Sequence, residues 1–486
     1  MANYRELSRE LVVSGLNERQ LEAVNTLEGP LLVLAGAGTG KTTVITRRIL
    51  NLVRSGVRPE QILALTFTKK AAREMYERVS KLLGCEPRGM VISTFHALGF
   101  RLLRHEGHRV GLKREAALVS RATQGDIAKR VLQEIDRGGE LSDVHLLTAI
   151  SRAKNHGLTP TALEEQAKSG SSRKLARAYK QYEEALRAES LIDFDDMITL
   201  SLRLLREAEL VRRECLRRWP FLLVDEYQDT SCDQYELVKL LLGRRQNLCV
   251  VGDDDQSIYR FRGAEVGNIL AFESDFPNAK VVVLETNYRS TGEIVELANR
   301  VIERAKKRYQ KRLVSAAGRA GLPVRLLHAK GEQEEESLVV REVKRLSQAG
   351  VSFSEMAVLH RVGQGLSAFA ERFAREGIPY QRSVDTVPSG NVPGVSMMTL
   401  HAAKGLEFPH VFIPAVEEGT IPHFNAVKEG AEAIEEERRL LYVGLTRARR
   451  ELLLTTTGLR GPHQQRRSRF LKDLRVPRAV LDVWAR

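Results

Sequence analysis

Apolar and β-branched residues recur along this chain in short runs, separated by longer stretches with helical spacing. The first run, Pro30 to Leu34, leads into a glycine-rich turn, and the pattern from Lys41 to Leu52 is helical. Runs at Ile62–Thr66, Met90–Thr94, Phe221–Asp225, Leu248–Gly252 and Val281–Glu285 predict a first set of strands. A second set is predicted at Val324–His328, Met356–His360, Val395–Leu400, His410–Pro414 and Glu451–Thr455. Strands that alternate with helices in this way indicate parallel sheets flanked by helices. Two such series predict an α/β chain of two lobes. From about 105 to 190 there is no convincing strand pattern. Gln124–Ile135 and Ser172–Ala188 instead carry apolar residues at helical spacing. Strand signals resume afterwards, so this stretch predicts an all-helical insert in the first lobe. The expected division is 1–104 and 191–278 for the first lobe, 105–190 for the insert, and 279–486 for the second lobe.

Composition narrows the class without naming a function. The chain has 486 residues, 43% apolar and 28% charged, which suits a soluble globular protein of about three domains. No apolar stretch reaches membrane-spanning length, and the N-terminus lacks a secretory layout, so a cytoplasmic address is expected. Lysine and arginine total 76 against 62 aspartates and glutamates, a net charge of +14 that favours a polyanionic partner. Cys85, Cys215, Cys232 and Cys249 form no Cys-x-x-Cys pair and read as reduced thiols.

Candidate chemistry begins at Ala35-Gly36-Ala37-Gly38-Thr39-Gly40-Lys41-Thr42, between a strand and a helix. Glycines let the backbone N–H groups wrap a polyphosphate at the helix N-terminus. Lys41 is placed to reach the outer phosphates, and the Thr42 hydroxyl to hold Mg²⁺. A nucleoside triphosphate is therefore the expected ligand. At the end of another predicted strand stand Asp225 and Glu226. There Asp225 can hold Mg²⁺ through water, while Glu226 can orient and deprotonate the attacking water. Residues 250–264 then combine Gln256, suited to sensing a terminal phosphate, with Tyr259 and Phe261 flanked by Arg260 and Arg262. Aromatic rings interleaved with arginines suit a single strand of nucleic acid, whose bases stack at roughly 1–3 kcal/mol each.

Taken together, these residues resemble the superfamily 1A helicases, the UvrD/Rep/PcrA family, from about residue 16 to 472. Leu16-Asn17-Glu18-Arg19-Gln20 is similar to the family's adenine-reading segment. Thr66-Phe67-Thr68-Lys69-Lys70-Ala71-Ala72 and Ser93-Thr94-Phe95-His96 resemble its first DNA-contacting motifs. Asp193-Phe194-Asp195-Asp196 resembles the return from the helical insert. Asn287-Tyr288-Arg289-Ser290, Thr399 to Phe408 and Tyr442 to Ala448 resemble the second-lobe motifs.

The resemblance implies two RecA-like P-loop lobes with ATP and Mg²⁺ between them. It assigns catalytic roles to Lys41, Asp225, Glu226, Gln256, Arg289 and Arg447, with Thr42 and Asp225 at the metal. Nucleotide contacts are implied for Gln20, Ala35 to Thr43, Tyr288, Arg289, Glu407 and Arg447. DNA contacts are implied for Phe67, Thr68, Lys69, Thr94, His96, Tyr259, Phe261, Arg262, His401 and Lys404. The function implied is a 3′–5′ DNA helicase, acting on single-stranded and 3′-tailed duplex DNA, as a monomer or weak dimer at the nucleoid. A role in DNA repair or replication is implied with it.

The chain departs from the family pattern in four places. Lys69 stands where Asn is usual, Phe261 where Trp is usual, and Gly461-Pro462-His463 where an aromatic is usual. The accessory 2B domain inserted in the family's second lobe is replaced by a Pro/Gly/Ser-rich link at 383–394. That absence raises an alternative, a single-strand translocase that displaces proteins without efficient unwinding. A non-catalytic binding module is disfavoured by the joint presence of Lys41, Asp225, Glu226, Gln256, Arg289 and Arg447.

Overall fold

The computed structural model describes residues 8–136, 139, 141–318, 321–383 and 394–472. These fall into two compact units. The first holds the described residues up to Leu34, with Lys41–Gly252 and Tyr259–Val282. The second holds Ala35–Gly40, Asp253–Ile258 and the described residues from Val283 onward.

Unit one is built on a sheet of β1 (Leu31–Ala35), β2 (Ile62–Thr66), β3 (Val91–Thr94), β4 (Phe221–Val224), β5 (Leu248–Gly252) and β6 (Lys280–Leu284). Its order is β3-β2-β4-β5-β1-β6, and the β1–β5, β2–β3, β2–β4 and β4–β5 ladders are parallel. Every residue of β1, β2 and β5 is buried. Burial on both faces is why these strands read as continuous apolar runs. Flanking helices include α1 (Glu18–Asn25), α2 (Lys41–Arg54), α3 (Lys69–Leu83) and α4 (Phe95–Glu106).

The 105–190 stretch contains α5 (Arg121–Ile135), α6 (Asp143–Asn155) and α7 (Gly170–Ala188), which share a core of Ile127, Val131, Leu146, Ile150, Tyr182 and Leu186. One feature differs from expectation: Ala117–Leu118 pairs in parallel with Leu191–Ile192. Two residues are too few to show a strand period. The chain then enters α8 (Asp196–Glu207), which packs against α4 so closely that a Cβ on Gly99 would lie 2.1 Å from the Met197 carbonyl oxygen. The buried Lys154 ammonium ties α6 to this return, 2.6 Å from Glu183 and 2.7 Å from both Asp193 and Asp196.

Unit two is built on β7 (Arg325–Ala329), β8 (Met356–His360), β9 (Tyr380–Ser383), β10 (Val395–Thr399), β11 (Phe408–Ile413) and β12 (Ala448–Thr457). The order is β7-β12-β11-β8-β10-β9, parallel throughout. Val339, Val343, Met356, Val358, Phe373, Met397 and Phe412 are among its core residues. Its helices include α9 (Gly292–Ile302) and α10 (Ala431–Leu445). Edge strand β9 has no predicted counterpart, because Tyr-Gln-Arg-Ser is polar and lacks an apolar run. The predicted 383–394 link joins β9 to β10, and its residues 384–393 lie outside the described ones. Two α/β sheets flanked by helices therefore match the expected fold class.

Candidate nucleotide and nucleic-acid site

The phosphate loop follows β1 as expected. Gly38 and Gly40 have φ of +70° and +87°, the left-handed region that glycine adopts without strain. Space is a second constraint. A Cβ on Gly38 would lie 2.6 Å from the Asn287 amide nitrogen, and one on Gly36 2.4 Å from Leu313. The loop is bonded to the Asn287 motif inside unit two: the Asn287 amide donates to the Ala37 carbonyl at 2.7 Å, and the Tyr288 N–H donates to the Gly38 carbonyl at 2.9 Å. The Thr39 hydroxyl donates to the Gly36 carbonyl at 2.9 Å, which closes the turn. Lys41, Thr42 and Thr43 begin α2, half-buried.

Asp225 lies at the end of β4, buried, and the Glu226 N–H donates to its carboxylate at 3.0 Å. Burial, then the Glu226 charge, push the Asp225 carboxyl up to about 7, against the opposing pull of Lys41. A desolvated carboxylate beside a second one is a donor that a divalent cation would relieve, so Asp225 fits a Mg²⁺ ligand. Glu226 has φ of +52°, unusual for a non-glycine residue. Strained backbone of this kind persists where its surroundings hold it. The buried Gln228 amide does so by donating to the Glu226 carboxylate. No sequence pattern marks Gln228, and its proximity to Gly252, where a Cβ would meet its Oε1 at 2.7 Å, is visible only in the fold.

Unit two gathers most of the remaining predicted nucleotide residues. The buried Arg447 guanidinium donates to the Gln256 side-chain oxygen at 3.2 Å, to the Val443 carbonyl at 2.9 Å and to the Leu406 carbonyl at 3.2 Å. The Gln256 amide donates to Asp253 at 2.6 Å, and the Lys404 ammonium donates to the Gln256 carbonyl at 2.7 Å. Lys404 thus connects to the phosphate-sensing candidate, although the resemblance implies a DNA contact for it. Arg289 donates to Glu407 at 2.5 Å and to the Thr446 carbonyl at 3.2 Å. Burial alone would raise the Glu407 carboxyl, but Arg289 outweighs it and holds it below the usual range. Tyr288 is 53% exposed. Gln20 has a structural duty in unit one: its side-chain oxygen accepts from the Asn17 N–H at 3.0 Å in the capping box of α1.

The expected strand-contacting residues of unit one form two ring clusters. Phe67 and Tyr259 stack at 5.3 Å with 12° between planes, and Phe261 meets Tyr259 edge-on at 6.0 Å. Phe261 is 65% exposed, and the Arg262 guanidinium lies 5.4 Å from both the Tyr259 and Phe261 rings. In the second cluster Phe194, 56% exposed, stacks on His96 at 3.9 Å. In sequence Phe194 belongs only to the return segment, and its exposed ring adds it to the candidates. Burial lowers the His96 pKa to about 4, so its imidazole is neutral at physiological pH. Thr68 and Thr94 cap α3 and α4, accepting from Ala71 at 3.1 Å and Ala97 at 3.2 Å. Lys69 is exposed on the first turn of α3 and His401 is half-buried just beyond β10. The four cysteines are free, and no described helix is long and apolar enough to cross a membrane.

Comparison with known proteins bears on this arrangement. The model of the UvrD/REP helicase N-terminal domain matches residues 16–277, and that of the UvrD-like helicase C-terminal domain matches 282–387 and 383–458. The ATP-dependent DNA helicase PcrA of Staphylococcus epidermidis (strain ATCC 35984) is 31% identical over 640 residues, covering 97% of this chain and 87% of that protein. PcrA of Staphylococcus aureus (strain MRSA252) is 30% identical over the same span and shares. The 640-residue span exceeds the 486 residues of this chain, so these relatives carry residues inside it that this chain lacks. The C-terminal match breaks into two pieces that meet at 383–387.

Proposed function

The chain belongs to the UvrD/REP helicase family, and from that premise we propose that it is an ATP-dependent DNA helicase that moves 3′ to 5′ along single-stranded DNA. The observation that carries the reading is the seating of the phosphate loop on Asn287 and Tyr288, in the unit that also holds Gln256, Arg289 and Arg447. The loop N–H groups and Lys41 bind the phosphates of ATP, and Thr42 and Asp225 hold Mg²⁺. Bound Mg²⁺ neutralises charge on the phosphate oxygens. Glu226, oriented by Gln228, accepts the proton of the attacking water. Gln256 senses the terminal phosphate, and Arg289 and Arg447 stabilise the charge that develops on it. The Tyr288 ring stacks on the base, with Gln20 at its edge and Glu407 beside Arg289.

On the strand side, Phe67, Tyr259, Phe261, Phe194 and the neutral His96 offer stacking surfaces, while Lys69 and Arg262 meet phosphates. Thr68, Thr94 and His401 complete that contact. Lys404, bonded to the Gln256 backbone, links strand binding to the phosphate sensor. ATP binding and hydrolysis favour different conformations of the chain, and alternation between them moves the strand. In this reading 105–190 acts as a helical subdomain, a monomer or weak dimer suffices, and the setting is DNA repair or replication at the nucleoid. ATP turnover with and without oligo-dT tests the assignment. DNA should stimulate turnover and Lys41→Ala should abolish it, whereas turnover indifferent to DNA refutes it.

The broken C-terminal match supports a second reading. A segment of the relatives missing near 383–387 favours a translocase that clears proteins from single strands with little unwinding. Separation of a 3′-tailed duplex, compared with streptavidin displacement from a biotinylated single strand, decides between the two.

A further inference from the structure

Residues 253–255 are three consecutive aspartates, each no more than 1% exposed, with carboxylate oxygens within 4.8 Å of one another. Buried like charges at such separations repel strongly, and without a cation some would take up protons. Three residues from a distant part of unit two meet them. The Lys311 ammonium lies 3.1 Å from Asp253 and 2.8 Å from Asp255, and also bonds Asp254. Arg308 forms a two-pronged pair with Asp255, both bonds 2.8 Å, and donates to the Lys311 carbonyl at 3.0 Å. The Tyr309 N–H donates to Asp254 at 2.8 Å. Burial alone would lower the Lys311 pKa, but the three carboxylates outweigh it and raise it.

Asp253 is the member that matters to the reaction, because it accepts from the Gln256 amide at 2.6 Å. An ionised carboxylate can only accept, so Asp253 must face the NH₂ end of Gln256. The Gln256 oxygen then faces the other way, where the Arg447 guanidinium donates to it at 3.2 Å. Were Asp253 protonated, it could donate to the amide oxygen instead, and the amide could turn its NH₂ group toward the Arg447 cation. We propose that Lys311, supported by Arg308, is a positioning residue for ATP hydrolysis. By keeping Asp253 ionised it fixes which end of Gln256 meets Arg447. The inference rests on the ATPase reading above and adds to it two residues outside the motifs that carry the family resemblance.

The test uses the full chain with Lys311→Met, Lys311→Arg and the double variant Lys311→Met/Asp254→Asn. Turnover is measured with saturating oligo-dT, affinity with a fluorescent ATP analogue, and Tm by thermal melting. Lys311→Met should lower kcat about tenfold or more, as loss of a supporting shell does, with nucleotide Kd within about threefold. Lys311→Arg should recover much of kcat. In the double variant charge is balanced but Asp253 still lacks its cation, so Tm should recover while kcat stays low. This variant carries the test if Lys311→Met does not fold. Recovery of kcat together with Tm, or unchanged kcat in folded Lys311→Met, would overturn the proposal and leave the ATPase reading intact. Absence of turnover in the unmodified chain would overturn both.

Discussion

Lys154→Met probes the junction between the helical stretch and the strand-contacting surface. The Lys154 side chain is 2% exposed, 2.6 Å from Glu183 and 2.7 Å from Asp193 and Asp196. Asp193 and Asp196 also accept each other's backbone N–H at 2.9 and 3.0 Å, which closes a box around Phe194. Methionine keeps the bulk and removes the charge, so the carboxylates lose their main buried partner. Breaking such a group costs about 3–5 kcal/mol. Arg187 remains 3.0 Å from Asp196, which favours the lower end, about 3 kcal/mol. For a unit of this size that corresponds to a fall in Tm of about 6–12 °C. Burial lowers the Lys154 pKa, but Asp196, Asp193 and Glu183 outweigh it and raise it well above 10.5. Its stabilisation is therefore fully present below 10.5, declines as pH rises from there through the raised value and is gone above it, so the difference between variant and parent should be flat from pH 7 to 9. A loosened box should also free Phe194 and weaken oligo-dT binding by about 1 kcal/mol, about fivefold. Urea unfolding and fluorescence anisotropy measure the two effects. A loss of stability below about 1 kcal/mol, or unchanged oligo-dT affinity, would refute the reasoning.

Other residues give separate checks. Arg447→Ala should lower turnover by about 10³ while nucleotide affinity stays within a few-fold, and weakened binding with normal turnover contradicts its role. Phe261→Ala removes an exposed stacking ring and should slow translocation more than DNA-free hydrolysis; an unchanged stepping rate removes Phe261 from the track. His96, its pKa lowered by burial from 6.5 to about 4, must gain a proton on unfolding in acid. Stability should therefore decline as pH falls from 6.5 toward 4, and His96→Phe should flatten that decline. Parallel pH curves for the two proteins contradict the assigned burial effect.

Strands buried on both faces were legible because their sequences are unbroken apolar runs, as in β1 and β2. The phosphate loop was legible because its chemistry is local, with glycines, Lys41 and Thr42 in eight residues. Edge strand β9 was not, since Tyr380-Gln381-Arg382-Ser383 has no apolar face to bury. The supports of the site were hidden for another reason. Lys311 meets Asp254 across 57 residues, and Lys154 meets Asp193 across 39. No local pattern encodes such a pairing. Gln228 lies two residues after Glu226 in sequence, yet its duty follows from the positive φ at residue 226, which no spacing rule reveals. Thr68, Thr94 and Gln20 show the converse. Their residue types fit a helix cap as well as a ligand contact, and the structure exhibits the cap.

The most direct test follows the motor itself. Stopped-flow fluorescence on oligo-dT of increasing length, labelled at one end or the other, reports arrival of the moving protein. ATP-dependent arrival at the 5′ end is expected, with a lag proportional to length, and no arrival in Lys41→Ala. Arrival only at the 3′ end, or a signal independent of length, would contradict it.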